Sequence, residues 1–322
     1  MDNLLPTRSA AVSIRPLGES ELDDADRIFR LAFGTFLGLP DPTVFMNGAQ
    51  LVHARWRTDP AAFLAADLDG RLAGSSYATS WGSVGFFGPL TVRPELWDRG
   101  IGQRLLEAVM ELFRERGTRH IGLFTFPHSP KHIALYQKFG FWPRNLTAVM
   151  RKHVEPVSHH ADASLLSELP EDARRDSIDA CFELSDSVHA GLDLRGEIRA
   201  VLAQRTGDTL LLWEGSRLEA FAICHCGPGS EAESDTCYVK FGLCRHGQRT
   251  EVVFRKLLRA CQRFASGRSV EWLIAGANTA RHGAYRAMLA SGFKPEILGV
   301  AMHQRNEPCY NREEVFLIDD WR

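Results

Sequence analysis

Residues 97–106 read Trp97-Asp98-Arg99-Gly100-Ile101-Gly102-Gln103-Arg104-Leu105-Leu106, directly after the strand-like run Pro89-Leu90-Thr91-Val92. A chain that leaves a β-run, crosses two glycines and enters an amphipathic segment has two readings. It is a tight structural turn, or it is a cradle for phosphate. The first N–H groups of a helix lack partners within it and carry a partial positive charge. Glycines at 100 and 102 let an anion approach that backbone with no Cβ in the way.

Working outward, Leu105, Leu106, Val109, Met110 and Phe113 recur at helical spacing, which predicts a helix over Arg99 to Arg116 that stops at Gly117. Upstream, residues 63–81 alternate as a hairpin turned at Asp69-Gly70, and a further strand precedes Pro94. Before these come a strand at 13–16 and a helix opening near Ser20, with Leu22, Ile28, Leu31 and Ala32 on its buried stripe. A Gly- and Pro-rich loop is expected over Gly34 to Gly48, then a helix over Ala49 to Trp56. Downstream, a strand at 120–126, a helix over Pro130 to Phe139 and a strand over Asn145 to His153 complete the first half.

The same order recurs after residues 155–165, which read as a linker. Helices are predicted at 176–191 and 197–205, and a hairpin at 210–225 turned at Glu214-Gly215. A strand at 237–244, a helix at 252–265, a strand at 270–276 and a helix at 281–293 follow. The last ends in Gly-Phe, as Leu135-Tyr136-Gln137-Lys138-Phe139-Gly140-Phe141 does in the first half. A period of roughly 150 residues is too long for a solenoid unit and implies two copies of one domain.

Composition narrows the function classes. The 322 residues are 44% hydrophobic and 24% charged, with a net charge of −2. These values suit a globular protein with real cores and argue against binding nucleic acid through bulk charge. No apolar run reaches membrane-spanning length and no signal-peptide core opens the chain. The seven cysteines, an odd number without a secretory signal, favour reduced thiols and a cytoplasmic location.

The pattern V-x-P-x-x-x-x-x-G-x-G followed by Leu-Leu, with Leu135-Tyr136-Gln137-Lys138-Phe139-Gly140-Phe141 about thirty residues on, resembles the GNAT superfamily of acyl-coenzyme A-dependent N-acyltransferases. The resemblance spans residues 12 to 153. It implies an α/β (α+β) fold of two tandem GNAT-like domains, each a mixed, mostly antiparallel sheet flanked by helices. Residues 1–154 would be the catalytic, acetyl-coenzyme A-binding copy and 166–322 a degenerate one. The Gly-rich turn, Trp97, Asp98, Arg99, Gly100, Ile101, Gly102 and Gln103, would bind the pyrophosphate. Leu90, Thr91 and Val92 would pair with the pantetheine arm. Tyr136 matches the family tyrosine that protonates the departing thiolate; the other reading is a core residue with its hydroxyl at a surface. Ser129 falls where the family often has a cofactor-contacting Asn, and equally suits a helix N-cap.

Two positions depart from the family pattern: Trp97 stands where Arg or Gln is usual, and Asp98 where Gly is frequent. A carboxylate there must point away from a pyrophosphate or pair with Arg99. The strand before the turn lacks the Glu that the family often uses as a base. His128, Asp41 and Glu95 are the remaining candidates.

In the second half, Leu243-Cys244-Arg245-His246-Gly247-Gln248-Arg249 keeps one glycine, and Met288 aligns with Tyr136, with Tyr285 and Asn278 out of step. That half is expected to bind no pyrophosphate, and to cover the first half or shape its acceptor pocket. Its final strand, Val315 to Trp321, is expected to complete a sheet, in its own domain or across the interface. Cys224, Cys226, Cys237 and Cys244 are not spaced as a zinc ribbon or finger, so buried thiols and no metal are expected. His159-His160 reads as solvated linker.

The resulting expectation is an N-acetyltransferase that uses acetyl-coenzyme A and a small-molecule or peptide primary amine, as a monomer or homodimer. It engages neither nucleic acid nor membrane. The competing reading is a coenzyme A-binding scaffold or sensor without turnover. The loop over Gly34 to Gly48, with Phe36, Asp41 and Phe45, is expected to line the acceptor pocket and to favour an apolar or aromatic amine.

Overall fold

The computed structural model describes residues 12–156 and 163–322; His159-His160 lies outside them. In the first half, strands β1 (Val12–Pro16), β2 (Phe63–Leu68), β3 (Arg71–Trp81), β4 (Val84–Val92), β5 (His120–Thr125) and β6 (Phe141–His153) alternate with helices α1 (Leu22–Phe36), α2 (Leu51–Thr58), α3 (Ile101–Glu115) and α4 (Pro130–Gln137). The second half has β7 (Ser164–Leu165), α5 (Glu171–Val188), α6 (Arg195–Gln204), β8 (Gly207–Glu214), β9 (Arg217–Cys226) and β10 (Thr236–Cys244). It continues through α7 (Thr250–Gly267), β11 (Trp272–Asn278), α8 (His282–Ala290), β12 (Lys294–Gln304) and β13 (Leu317–Ile318). No described helix is long and apolar enough to cross a membrane.

Local chemistry accounts for most boundaries. Asp69 and Gly70 both take positive φ, which turns the β2–β3 hairpin as the Asp-Gly pair predicts. Gly117, at φ +67°, ends α3. The β8–β9 turn begins one residue later than expected: Glu214 stays in the strand, and Gly215 takes the positive φ. Helix α1 also corrects the reading, since it runs through Gly34 to Phe36, where a loop was expected. Gly34 sits inside the helix because a Cβ there would lie 2.3 Å from the Pro42 carbonyl oxygen. Its lost helix propensity is offset by the close return of the following segment. Gly34→Ala is therefore expected to cost about 1–3 kcal/mol by overpacking, read as a lowered denaturant midpoint at unchanged slope.

Each half forms a mixed, mostly antiparallel sheet, and the two join into one, ordered β1-β2-β3-β4-β5-β12-β6-β11-β10-β9-β8-β7. The parallel pairs are β4 with β5 and β10 with β11. The join is an exchange. Strand β12 inserts between β5 and β6, pairing with both, and β6 reaches on to β11. The sequence reading did not assign 294–304 to a strand, although this strand is what closes the first half. Without it β5 would expose an unpaired edge.

The tail does something else. Only Leu317 and Ile318 form a strand, and it pairs with Leu243 and Gly242 of β10. β10 and β11 are in register only from Thr236↔Trp272 to Val239↔Ala275 and then part. The tail fills that gap, with Cys244 N–H donating to the Phe316 carbonyl and Asp319 N–H to that of Gly276. The core is shared as well: Trp81, Val84 and Phe86 of the first half pack with Phe241, Leu317 and Trp321 of the second.

Candidate functional site

β4 and β5 are in register only from Val84↔His120 to Phe86↔Gly122. Beyond Phe86 they splay, and among the described residues no strand fills the gap on that side of β4. The splayed end of β4 leads to the turn at 97–100 and the N-terminus of α3. Gly100 is the α3 N-cap, at φ +77°, with open space where a Cβ would stand and no side-chain cap on the first helical N–H groups. Open space, unsatisfied donors and a helix N-terminus form a place where an anion fits. The equivalent turn in the second half differs: Gly247 N–H donates to Thr250 Oγ1 at 2.7 Å, and the tail fills the splay beside it.

A single cavity of about 940 Å³ runs along this groove. Leu90, Thr91, Val92, Trp97, Asp98, Gly100, Ile101, Gly102, Gln103, Ser129 and Tyr136 all line it. Arg99 does not, and is exposed. Asp98 pairs with Lys131 of α4, not with Arg99, so its charge is partly neutralised at the mouth of the groove. Trp97 donates its indole N–H to the Val92 carbonyl at 2.8 Å, which anchors the turn to the strand end. Ser129 is the N-cap of α4 and is buried, with no side-chain capping bond.

Tyr136 is buried beside Phe87, their rings meeting edge-on at 5.8 Å. Burial pushes its phenol up to about 12, against a side-chain hydrogen bond with Thr125 that pulls the other way. The hydroxyl therefore holds its proton at neutral pH, as a proton donor must.

None of the three expected base candidates lines the cavity. Asp41 is exposed and accepts from the N–H and hydroxyl of Thr43. Glu95 is exposed on a 3-10 turn. His128 is exposed and stacks on Phe36. The ionisable groups that do line it include His132, Glu233, Glu296 and Arg322, the last three from the second half. Burial pushes His132 down, aided by Lys131. Burial, opposed by Arg322 and aided by Glu296, holds Glu233 above the usual carboxylate range. No local pattern marks Glu233, which sits in an ordinary turn between β9 and β10; only the fold carries that turn to the first half's groove.

A buried ion network ties the halves together behind this site. Arg55 of α2 bonds Glu231 at 2.9 Å, the Gly88 carbonyl of β4 at 2.6 Å and the Arg322 carbonyl at 2.5 Å. Lys240 bridges Glu231 at 2.5 Å and Glu197 at 2.8 Å. Burial would raise the Glu231 carboxyl, but Arg55 and Lys240 outweigh it and hold it well below the usual range. Glu197, His225 and Glu231 stand close enough to share a cation. Lys240 already supplies the positive charge between the two carboxylates. Cys224, Cys226 and Cys237 meet under α7 with Cys261, and all seven cysteines are free and buried. Contact with Cys237 and burial push Cys224 and Cys226 up, while the same two contacts hold Cys237 down.

The splayed parallel pair, the glycine turn and the helix behind it define a mixed α/β domain with an open cleft at an uncapped helix N-terminus. Residues 26–141 match the model of the Acetyltransferase (GNAT) family. Mycothiol acetyltransferases from Clavibacter sepedonicus and from Clavibacter michiganensis subsp. michiganensis are each 31% identical over 121 residues, 37% of this chain and 40% of theirs. The match thus spans well under half of those relatives. In fold, the chain is similar to a GCN5-related N-acetyltransferase from Sphaerobacter thermophilus, at TM-score 0.62 and 12% identity over 91% of this chain and 95% of that one. A Pyrococcus horikoshii chain described provisionally as an acetyltransferase superposes at TM-score 0.68 and 16% identity, over 98% and 96%. At these identities the likeness shows a shared fold across both halves.

Proposed function

We propose that this chain transfers an acetyl group from acetyl-coenzyme A to a primary amine of a small molecule or peptide, by direct attack in a ternary complex. The observation that carries the reading is the open splay between β4 and β5, which leads from the unsatisfied α3 N-terminus to the buried, protonated Tyr136. Residues 97–103 would hold the pyrophosphate, and the free edge of β4 at Leu90 and Thr91 the pantetheine arm. The Val92 carbonyl is taken by Trp97. Ser129 adds a hydroxyl beside that arm. The thioester, when bound, supplies an activated acetyl group. Tyr136 donates its proton to the sulfur as the C–S bond breaks, and regains one from the acetylated nitrogen. The buried, reduced cysteines suit a cytoplasmic setting.

Thiol release from acetyl-coenzyme A across a panel of amines tests this reading. Binding without release for any amine would favour a coenzyme A-binding scaffold. Calorimetry is expected to give one site per chain, because the second half's groove is filled by residues 315–320. Gly102→Val probes the groove itself. A Cβ at Gly102 would stand 3.4 Å from Leu90 Cδ2 and 3.9 Å from Val92 Cγ2, so the valine branch wedges α3 off the splayed strand. Acetyl-coenzyme A affinity is expected to fall about tenfold or more, roughly 1.4 kcal/mol, and an unchanged affinity would remove this turn from the site.

A further inference from the structure

We propose that the acceptor is a primary amine on a hydrophobic, aromatic-bearing body, whose ammonium is held and deprotonated by Glu233 of the second half while its body lies against the phenylalanines of α1 and the loop that follows. The inference rests on the acetyl-transfer reading above and adds the acceptor class and the proton acceptor.

The two parts of this subsite are tied together. The segment after α1 binds the turn that carries Glu233: Gln50 N–H donates to the Ser230 carbonyl at 2.8 Å, and Ser234 N–H to the Asn47 carbonyl at 3.1 Å. Gly48 is needed there, since a Cβ would lie 2.0 Å from Ser234 Oγ. The apolar wall is therefore built beside the carboxylate. Phe33 and Phe45 stack with centroids 5.3 Å apart, and Phe29 meets Phe45 edge-on at 5.5 Å. Phe29, Phe33, Phe36, Phe45 and Glu233 all line the same cavity as Tyr136. Val149, Ile274 and Ile297 extend the apolar lining where the exchanged strands meet. A hydroxyl-rich acceptor would leave polar groups unpaired against these walls. An aralkylamine would place its ring there and its charge at Glu233, where Glu296 favours a cation and Arg322, Arg151 and Arg30 oppose one.

The proton balance is complete without another reactant. The ammonium gives one proton to a Glu233 carboxylate oxygen, and the free amine nitrogen then attacks the thioester carbonyl carbon. The C–S bond breaks, and the second nitrogen proton returns to Tyr136 as its own goes to sulfur. Glu233 later releases its proton to water. Because burial holds Glu233 above the usual carboxylate range, a reactive ionised form is lost as pH falls through that raised value, giving an acid limb to kcat/KM.

The test uses the full chain saturated with coenzyme A. Calorimetry compares 2-phenylethylamine with glucosamine on the native protein and on Glu233→Gln and Glu233→Asp. The expected result is tighter binding of phenylethylamine, weakened about 10- to 100-fold in Glu233→Gln and less in Glu233→Asp. In turnover, the acid limb should vanish in Glu233→Gln. Equal or tighter binding of glucosamine, or unchanged phenylethylamine binding in Glu233→Gln, overturns the inference. Thiol release with glucosamine alone would do so while leaving the acetyl-transfer reading intact. Selective phenylethylamine binding that depends on Glu233, with no thiol release, would overturn acetyl transfer but uphold the subsite.

Discussion

Replacing Tyr136 with phenylalanine is expected to lower kcat by about 10²–10⁴ while acetyl-coenzyme A affinity stays nearly intact. The ring and its edge contact with Phe87 remain, and only the hydroxyl leaves. The size follows from what the hydroxyl does. A thiolate is expelled more easily when a proton donor stands within reach, and a phenol pushed up to about 12 is fully protonated at working pH. Single-turnover rates with a reactive amine, measured beside calorimetric binding of the donor, separate the steps. A rate within about threefold of native, well below the general-acid range, would make Tyr136 a core residue. Lost donor affinity at an unchanged maximal rate would instead assign the hydroxyl to binding.

Arg55→Met should destabilise the chain by about 3–5 kcal/mol, because it leaves Glu231 buried with one of its two cations gone. The Gly88 and Arg322 carbonyls lose their donor in the same step. Chemical denaturation measures the loss. Adding Glu231→Gln should recover part of it, since the stranded charge is then removed. The pH dependence follows in sign. Glu231 is held below its unfolded range, so its contribution is present above the unfolded carboxyl value of about 4.3 and falls away as pH drops. Arg55→Met should flatten that acid dependence. A loss under about 1 kcal/mol would mean that the network does not bind the halves.

The carboxylate that best fits the acceptor and the arginine that ties the halves were both missed in the sequence, and for the same reason. Their partners are remote: Arg55 and Glu231 are separated by 176 positions. The expected bases, His128, Asp41 and Glu95, were all sought in the first half. All three proved to be exposed and outside the groove, which takes Glu233, Glu296 and Arg322 from the other half.

Local patterns carried what the sequence alone could determine. The Gly100–Gly102 turn, the amphipathic α3, the Asp69-Gly70 hairpin and the placement of Tyr136 on α4 each depend on residues a few positions apart. Helical periodicity and left-handed turn chemistry are written over that range. The repeat of element order was legible for the same reason. Tertiary structure decided the exchange of β6 and β12, the tail lying in the second half's splay, and the turn that brings Glu233 to the first half's groove. Strand pairing is indifferent to distance along the chain. An open edge takes whichever strand the packed core presents, so only the folded chain determines that one splay is filled by its own tail while the other stays open.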